Sequence, residues 1–252
     1  MKQILFIVVL FLLSTLNVAG QKAGQPAQIV KIPAAMLAGE GLNTIPQRDS
    51  TRTVYQKTVY NGTDIAVFMV AIGTGITNKF DGFPLEEFIY WANGKAVVEP
   101  VGEAPFSIYS GDYFIQAKGF RGKWNFVDIG GPHLELSLIA KNRPDSTFKS
   151  PINKALVLDK DLLSGVSKPA DSLVYSGPEL TVNLLTEQAQ FFSNTSRERM
   201  LHVLNGTLTI TTEDDQIQHF YPGDFLIIPA DTRCQFEVSK VQQIRVLEVF
   251  KT

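Results

Sequence analysis

The sequence has little of the chemistry that most often identifies a protein. It contains one cysteine and three histidines in 252 residues, so no disulfide can form within the chain and few imidazoles are available for a metal. Its 23 Lys and Arg residues against 25 Asp and Glu give a net charge of −2. That balance provides no basic field for nucleic acid or for an anionic membrane. We therefore expect no nucleic-acid partner.

The motifs of several large enzyme classes are also missing from the sequence. We find no nucleophile elbow, glycine-rich phosphate loop, paired-cysteine zinc spacing or basic helix. This pattern argues against a kinase, a dehydrogenase, a triad hydrolase and a zinc finger. What the sequence does have is a composition of 44% hydrophobic and 10% aromatic residues, which is typical of a folded globular chain.

The N-terminus has the layout of a signal peptide. Lys2 precedes an apolar run from Ile4 to Leu13, and small and polar residues follow up to Gly20. The apolar run is short for a bilayer span of about 20 residues. We expect residues 1–20 to be removed ahead of Gln21, which predicts a secreted or periplasmic protein with no membrane attachment after cleavage. An uncleaved anchor is the alternative.

The chain contains an internal repeat. Shifting it by 112 residues aligns Asn93-Gly94 with Asn205-Gly206 and Gly111-Asp112 with Gly223-Asp224. Together with two further matches, this gives six identities in the 23 positions from 93 to 115. Average residue frequencies would give about one or two. A duplication, and hence two similar domains, is the economical explanation.

Each copy reads as short strands separated by turns. In both copies a β-rich run ends in Asn-Gly, a strong hairpin signal, and Gly-Asp opens the next run. The expected strands include Phe88–Trp91, Tyr113–Ile115, Leu134–Leu138, Met200–Leu204 and Phe225–Ile228. Only Ala34–Leu37 and Lys160–Leu163 suggest helices. Many short strands with even turn spacing favour an all-β sandwich or barrel.

The repeat and the turn signals predict the domain boundaries. We expect a signal peptide at 1–20, an N-terminal barrel at 28–140, a connection at 141–171 and a C-terminal barrel at 172–252. Within the connection, Ala155–Leu158 is predicted to be the entering strand of the second copy.

The spacing of the glycines resembles that of the cupin superfamily. The second copy carries Gly206 and then the run from Gly223 to Ala230, which reads GDFLIIPA. The first copy, with Gly94, Gly119, Gly122 and Trp124, looks more like the cupin branch that includes ureidoglycine aminohydrolase. The resemblance implies a double cupin, or bicupin, with two tandem jelly-roll β-barrels in one chain.

The resemblance also implies positions for metal ligands, and the sequence fills few of them. Glu87 occupies the glutamate position of the first copy, but the histidine positions hold Asp81 and Phe83, or Phe80 and Gly82, and Gly122. In the second copy Arg199 replaces the glutamate, Cys234 replaces the last histidine, and residues 192–195 replace the paired histidines. Two carboxylates such as Asp81 and Glu87 make a poor cation site without further ligands. We expect no metal and no cofactor.

In the second barrel, the cupin geometry implies that Arg199 and Cys234 are neighbours. An inward Arg199 would favour an anionic ligand, and it would also lower the pKa of the Cys234 thiol. The alternative is that Arg199 pairs with Glu198 or another acid while Cys234 is a small buried hydrophobe.

In the first barrel, Glu87 shares a strand face with Ile89 and Trp91 by alternation, and the copy ends in Trp124. A carboxyl group among aromatic rings can bind a small polar ligand. If it were buried, its pKa would be raised, and Glu87 could act as a general acid or base. A structural glutamate bonded to a loop amide is the alternative.

The three histidines predict different roles. His202 lies on the face opposite Arg199, so we expect it to pack outside the barrel or against a partner sheet. His133 shares a face with Glu135, either as a surface pair or as a group that orients a ligand. His219 precedes Tyr221-Pro222 in an expected turn and carries little signal.

The sequence therefore predicts an exported double cupin that binds a small polar ligand, a sugar or a carboxylate, through Glu87, Trp91, Trp124, Arg199 and Cys234. Two alternatives stay open. One is a hydrolase or isomerase of ureide or carbohydrate derivatives that uses Glu87 as its acid and base. The other is a non-catalytic scaffold for oligomer or partner contacts, and a homodimer through the barrel sheets is compatible with this architecture.

Overall fold

The computed structural model describes residues 28–45, 54–141, 155–164, 172–186, 196–238 and 243–252. The expected signal peptide lies outside these ranges. The described chain has two short helices, α1 (Ala34–Leu37) and α2 (Lys160–Ser164). The strands are β1 (Val30–Ile32), β2 (Asn43–Ile45), β3 (Val54–Asn61), β4 (Ile65–Ile72), β5 (Thr77–Asp81), β6 (Glu87–Asn93), β7 (Lys95–Pro100), β8 (Phe106–Tyr109), β9 (Tyr113–Gln116), β10 (Arg121–Phe126), β11 (His133–Ala140), β12 (Leu156–Val157), β13 (Ser172–Ser176), β14 (Leu180–Leu185), β15 (Arg199–Asn205), β16 (Leu208–Thr212), β17 (Ile217–Phe220), β18 (Phe225–Ile228), β19 (Cys234–Val238) and β20 (Arg245–Lys251). None of the described helices is long and apolar enough to cross a membrane.

The strands form two antiparallel barrels, each built from a large and a small sheet. The first barrel has a seven-stranded sheet, ordered β12-β9-β6-β11-β4-β3-β2, and a four-stranded sheet, ordered β5-β10-β7-β8. The second has a six-stranded sheet, ordered β1-β18-β15-β20-β14-β13, and a three-stranded sheet, ordered β17-β16-β19. The prediction of an all-β chain with two tandem jelly-roll barrels is confirmed.

Alternation along each strand divides its side chains between two cores. In β6, Ile89 and Trp91 lie in the core of the first barrel. Phe88, which lies between Glu87 and Ile89 in the sequence, faces the hydrophobic cluster on the other side of the sheet. Because side chains alternate with a period of two, Glu87 shares the inner face with Ile89 and Trp91. This is the face that the sequence assigned to Glu87.

The two large sheets pack against each other. A single hydrophobic cluster joins Met69 and Leu136 of the first barrel to Val182 and Leu247 of the second. The faces through which we considered a homodimer are thus covered within one chain, by the other barrel. Any homodimer would have to use another surface, so that assembly stays a prediction.

Two glutamates that are 112 residues apart link the barrels reciprocally. Glu198 accepts hydrogen bonds from the backbone N–H groups of residues 63–65, in the β3–β4 turn of the first barrel. Glu86 accepts them from the N–H groups of residues 179 and 180 in the β13–β14 turn of the second barrel, and from the Tyr175 hydroxyl. The repeat therefore gives the molecule an approximate twofold relation between its halves.

Each barrel also receives a short strand from the segment that precedes the other barrel. β1 pairs with β18 of the second barrel, and β12 pairs with β9 of the first, with Leu156 opposite Ile115. The prediction that Ala155–Leu158 enters the second barrel was therefore wrong. Its alternation explains the pairing, because Val157 packs into the first barrel's core while Leu158 packs between the sheets.

The Asn-Gly signals mark corners between sheets, not hairpins as the sequence suggested. β6 and β7 lie in different sheets, and so do β15 and β16. Gly94 and Gly206 have φ values of 110° and 76°, a region that favours glycine. A Cβ on Gly94 would lie 2.8 Å from His133 Nδ1, so the corner also requires close approach to β11.

Candidate functional site in the first barrel

A row of polar side chains lies on the inner face of the first barrel, where an apolar core would be expected. Glu87 begins β6, and Gln116 lies opposite it on β9. On the other side of β6, β11 alternates His133, Glu135 and Ser137 onto the same inner face, all of them buried. Of the two alternatives for His133 and Glu135, the surface pair was wrong, because both side chains lie inside the barrel and the second barrel covers the opposite face of β11.

Glu87 occupies an unusual electrostatic position. Burial and, to a smaller extent, the nearby Glu135 carboxylate raise the pKa of the Glu87 carboxyl, the Ser137 hydroxyl counteracts part of this effect, and the pKa is about 8. Glu87 therefore carries a proton at neutral pH. It is only partly buried, whereas Ile89 and Trp91 on the same face are fully buried. On this face of β6, Glu87 is therefore more accessible than Ile89 and Trp91.

Several buried polar atoms around this row have no hydrogen-bond partner within the described part of the chain. They are both side-chain amide atoms of Gln116, His133 Nδ1 and the indole nitrogens of Trp91 and Trp124. Buried polar groups are nearly always paired. These exceptions are grouped on the inner face of one barrel.

The two tryptophans lie deeper than we expected for ligand contacts. Their ring centroids are 5.8 Å apart, and both side chains are buried. The His133 ring lies 3.6 Å from Trp91, and its Nε2 is 3.1 Å from Glu135. Trp91 and Trp124 thus build the wall of the barrel, and only their indole N–H groups are available to a ligand.

The donor set of the first barrel does not fit a metal. Asp81 lies at the end of β5 with its side chain 94% exposed, and its carboxylate faces the Arg121 guanidinium at 3.4 Å. Phe80 packs inward against Phe83 and Phe120 instead. Among the described residues, no group of three or more His, Cys, Asp or Glu side chains could hold an ion. This geometry gives no support to a cation site on Asp81 and Glu87.

In the second barrel, Arg199 is neutralised by an acid that the sequence did not single out. Its Nη1 donates to Glu248 Oε1 at 2.9 Å, and Asn183 donates to the other carboxylate oxygen. The guanidinium also lies 5.7 Å from the Phe236 ring. An anionic ligand at Arg199 would have to compete with Glu248. The replaced histidine positions 192–195 lie outside the described residues.

Cys234 lies close enough to Arg199 for the guanidinium to act on its thiol, but burial outweighs that charge. Burial raises the pKa of the Cys234 thiol, and Arg199 lowers it by less. The expectation of a lowered thiol pKa was therefore wrong, since the thiol is half-buried among apolar neighbours. Arg199 and Cys234 stay predicted ligand contacts with weaker support than Glu87.

His202 packs between the barrels, as its place opposite Arg199 predicted. Its ring stacks on Phe225 with the ring centroids 3.7 Å apart, and its Nδ1 forms a hydrogen bond with the Tyr113 hydroxyl at 2.6 Å. Burial lowers the pKa of His202 to about 3, although the Gly223 carbonyl and Asp224 favour the charged form. His202 is neutral and structural. His219 lies on β17, not in a turn, and contacts Thr209.

Sequence reasoning found Glu87 but missed Gln116 and the buried position of Glu135. Gln116 ends an apolar run, so its sequence gives no sign that its amide faces a barrel interior. The strict alternation of β11 was a usable signal. It specifies one polar face, but only the packing of the two barrels shows that this face is the inner one.

Comparison with known proteins agrees with this architecture. The family model of the EutQ-like cupin domain matches residues 181–243. A cupin 2 conserved barrel domain protein from Leptotrichia buccalis has a TM-score of 0.59 at 13% identity, covering 90% of this chain and 98% of its own. The fold is a double cupin.

Two further solved structures are similar to most of this chain. A putative glyoxylate-induced protein from Pseudomonas aeruginosa has a TM-score of 0.58 at 13% identity, with 92% and 93% of the two chains covered. HEPD from Streptomyces albus, solved with 2-hydroxyethylphosphonate and Fe(II), has a TM-score of 0.55 at 8% identity, with 91% and 77% covered. The search of curated protein sequences finds no match. At these identities the likeness shows the fold alone.

Proposed function

We propose that this double cupin binds a small polar ligand inside its first barrel, and that Glu87 is the central contact. The observation that carries the proposal is the position of Glu87, which is partly accessible within the barrel and lies beside Gln116, whose amide has no partner among the described residues. A concave site lined by apolar walls with a few polar groups is the usual form of a small-molecule site. The N-terminal sequence supports an exported protein.

Of the two ligand classes that the sequence suggests, the geometry favours a sugar. In the first barrel, no Lys or Arg of the described strands faces inward to pair with a carboxylate. In the second barrel a carboxylate would have to displace Glu248 from Arg199. Glu87 with its proton can donate one hydrogen bond and accept another. Hydroxyl groups of a sugar do the same, so they match both atoms of the carboxyl group.

The proposal is tested by thermal unfolding of the mature protein with a panel of neutral monosaccharides. A ligand that binds only the folded state raises Tm as its concentration rises. We expect such a shift in wild type and in Glu237→Leu, a variant at an exposed position of β19. We expect its loss in Glu87→Leu. A shift that survives in Glu87→Leu would contradict the proposal.

A second function, catalysis, is favoured by the pair of carboxyl groups Glu87 and Glu135. Burial and the neighbouring Glu135 carboxylate raise the pKa of Glu87, and a carboxyl group with a raised pKa is typical of acid and base catalysis. Under this alternative, Glu87→Gln binds substrate as wild type does while turnover vanishes. Unchanged turnover in Glu87→Gln would eliminate it.

A further inference from the structure

We infer that the first barrel selects an uncharged, hydroxyl-bearing ligand and that Gln116 is a specificity residue that binds it. The inference rests on the proposed function, because it assigns a ligand class and a second contact to the same site. Four observations carry it: the unpaired amide, its position, the charges around it and the balance of donors and acceptors.

The amide of Gln116 is the least explained polar group in the barrel. The residue is 1% exposed, and neither its oxygen nor its nitrogen has a partner within the described ranges. A buried amide without hydrogen bonds is costly. A ligand that pairs with both atoms would remove this cost.

Gln116 and Glu87 form one recognition surface. The two residues are directly opposite each other in the β6–β9 register, which places their Cβ atoms about 5 Å apart. Phe114, two positions earlier on β9, lies in the barrel core, so Gln116 alternates to the same inner face. Side by side, both groups offer acceptor oxygens, and the amide nitrogen also donates.

The charges around this surface disfavour an anion. The titratable groups on the inner face are Glu87, Glu135 and His133, and none of the described strands of the first barrel turns a Lys or Arg inward. The nearby Lys118 is paired with Glu179 of the second barrel at 2.7 Å. A buried anion here would lack a countercharge.

The balance of donors and acceptors disfavours a cation. The unpaired atoms are the Gln116 amide oxygen and nitrogen, His133 Nδ1, and the indole N–H groups of Trp91 and Trp124, which only donate. Such an interior needs a ligand that both accepts and donates hydrogen bonds, and an ammonium group only donates. Hydroxyl groups accept and donate, so a neutral polyol fits the set best.

The test observes the Gln116 side-chain amide by NMR in the full mature protein, with its resonance assigned from Gln116→Leu. The probes are glucose, its acidic counterpart glucuronate and its basic counterpart glucosamine, together with glycerol and glycerate. We expect glucose and glycerol to shift the Gln116 amide in a saturable way, at least tenfold more tightly than their charged counterparts.

Two results would overturn the inference in different ways. Tighter binding of glucuronate, glycerate or glucosamine at Gln116 would contradict the uncharged ligand class and leave the proposed binding function standing. No shift with any probe would contradict both.

A stability measurement provides an independent control. Gln116→Leu removes an unpaired buried amide, so we expect it to raise Tm by about 2–8 °C. In the same variant, the NMR signals of residues next to Glu87 should no longer shift when glucose or glycerol is added. The matched change at an exposed position is Gln235→Leu. It should change neither Tm nor the NMR shifts caused by glucose and glycerol by a comparable amount. A lower Tm for Gln116→Leu would show that the amide is structural, which would contradict the inference.

Discussion

At the scale of single residues, the molecule contains two titratable groups, the partly buried Glu87 and the buried His202, whose effects on stability have opposite pH dependence. Glu87 lies inside the first barrel with its pKa raised to about 8. His202 lies between the barrels with its pKa lowered to about 3. In both cases burial disfavours the charged form. Each group is therefore tested by how stability changes with pH.

Between about pH 4.5 and pH 8, Glu87 is protonated in the folded state and ionised in the unfolded chain. The contribution of Glu87 to the free energy of unfolding is fully present below pH 4.5 and is lost as the pH rises through 8. Glu87→Gln keeps the shape without the charge. We expect it to be as stable as wild type at pH 4.5 and more stable at pH 8, by about 4 kcal/mol. Urea unfolding of both proteins at both pH values measures this effect. If Glu87→Gln differs from wild type by the same free energy of unfolding at pH 4.5 and at pH 8, the raised pKa of Glu87 is contradicted.

For His202, the unfolded chain gains a proton below about pH 6.5 that the folded state accepts only near pH 3. Stability is therefore lost as the pH falls through this window, by about 2 kcal/mol at pH 5. His202→Gln keeps an acceptor for the Tyr113 hydroxyl but does not titrate. We expect its stability relative to wild type to improve by that amount between pH 7.5 and 5. A constant difference would show that His202 is protonated in the folded state.

At the scale of elements, the two hairpin turns that hold Glu86 and Glu198 are packed too closely for any side chain. A Cβ on Gly177 would lie 2.3 Å from both Glu86 carboxylate oxygens, and one on Gly62 would lie 2.2 Å from those of Glu198. Since the carboxylates also bind the turns' N–H groups, neither partner can move without losing hydrogen bonds.

We expect Gly177→Ala to destabilise the protein by about 2 kcal/mol, in the range of overpacked cores. Gly73→Ala is the matched control, because nothing lies within 4 Å of the added Cβ and the change can slightly stabilise an accessible turn. Calorimetric unfolding of both variants measures the effect. Equal stabilities would mean that the Glu86 contact does not hold the two barrels together.

The strands were predictable from the sequence because apolar alternation and Gly-Asp turns are local signals. The Asn-Gly corners and β12 were read wrongly for one shared reason. A two-residue turn fixes the local bend but does not determine which sheet the next strand joins. Leu156–Val157 is too short for its sequence pattern to indicate the strand with which it pairs. Both answers depend on contacts between distant segments.

At the scale of the whole molecule, the duplication explains more than the presence of two barrels. It places Glu86 and Glu198, or Tyr90 and His202, at related positions on facing sheets, so each half completes the other. The exchange of β1 and β12 has the same effect. The sequence predicted two domains, but their mutual dependence appears only when both large sheets are seen to share one core.

Of the candidate site, the sequence could predict which of the implied metal-ligand positions hold other residues, since that depends on spacing alone. It could not predict that Glu248 neutralises Arg199 or that Gln116 lies opposite Glu87, because strand register is set by the assembled sheets. We propose that in this double-cupin fold side-chain hydrogen bonds take the place of a metal.

The most direct test of that claim is elemental analysis by inductively coupled plasma mass spectrometry of the mature protein, purified without a histidine tag. We predict transition metal well below one ion per chain, which would leave Glu87 and Gln116 as the ligand-binding groups. About one ion per chain would contradict the account and would mean that the first barrel works as a metal centre.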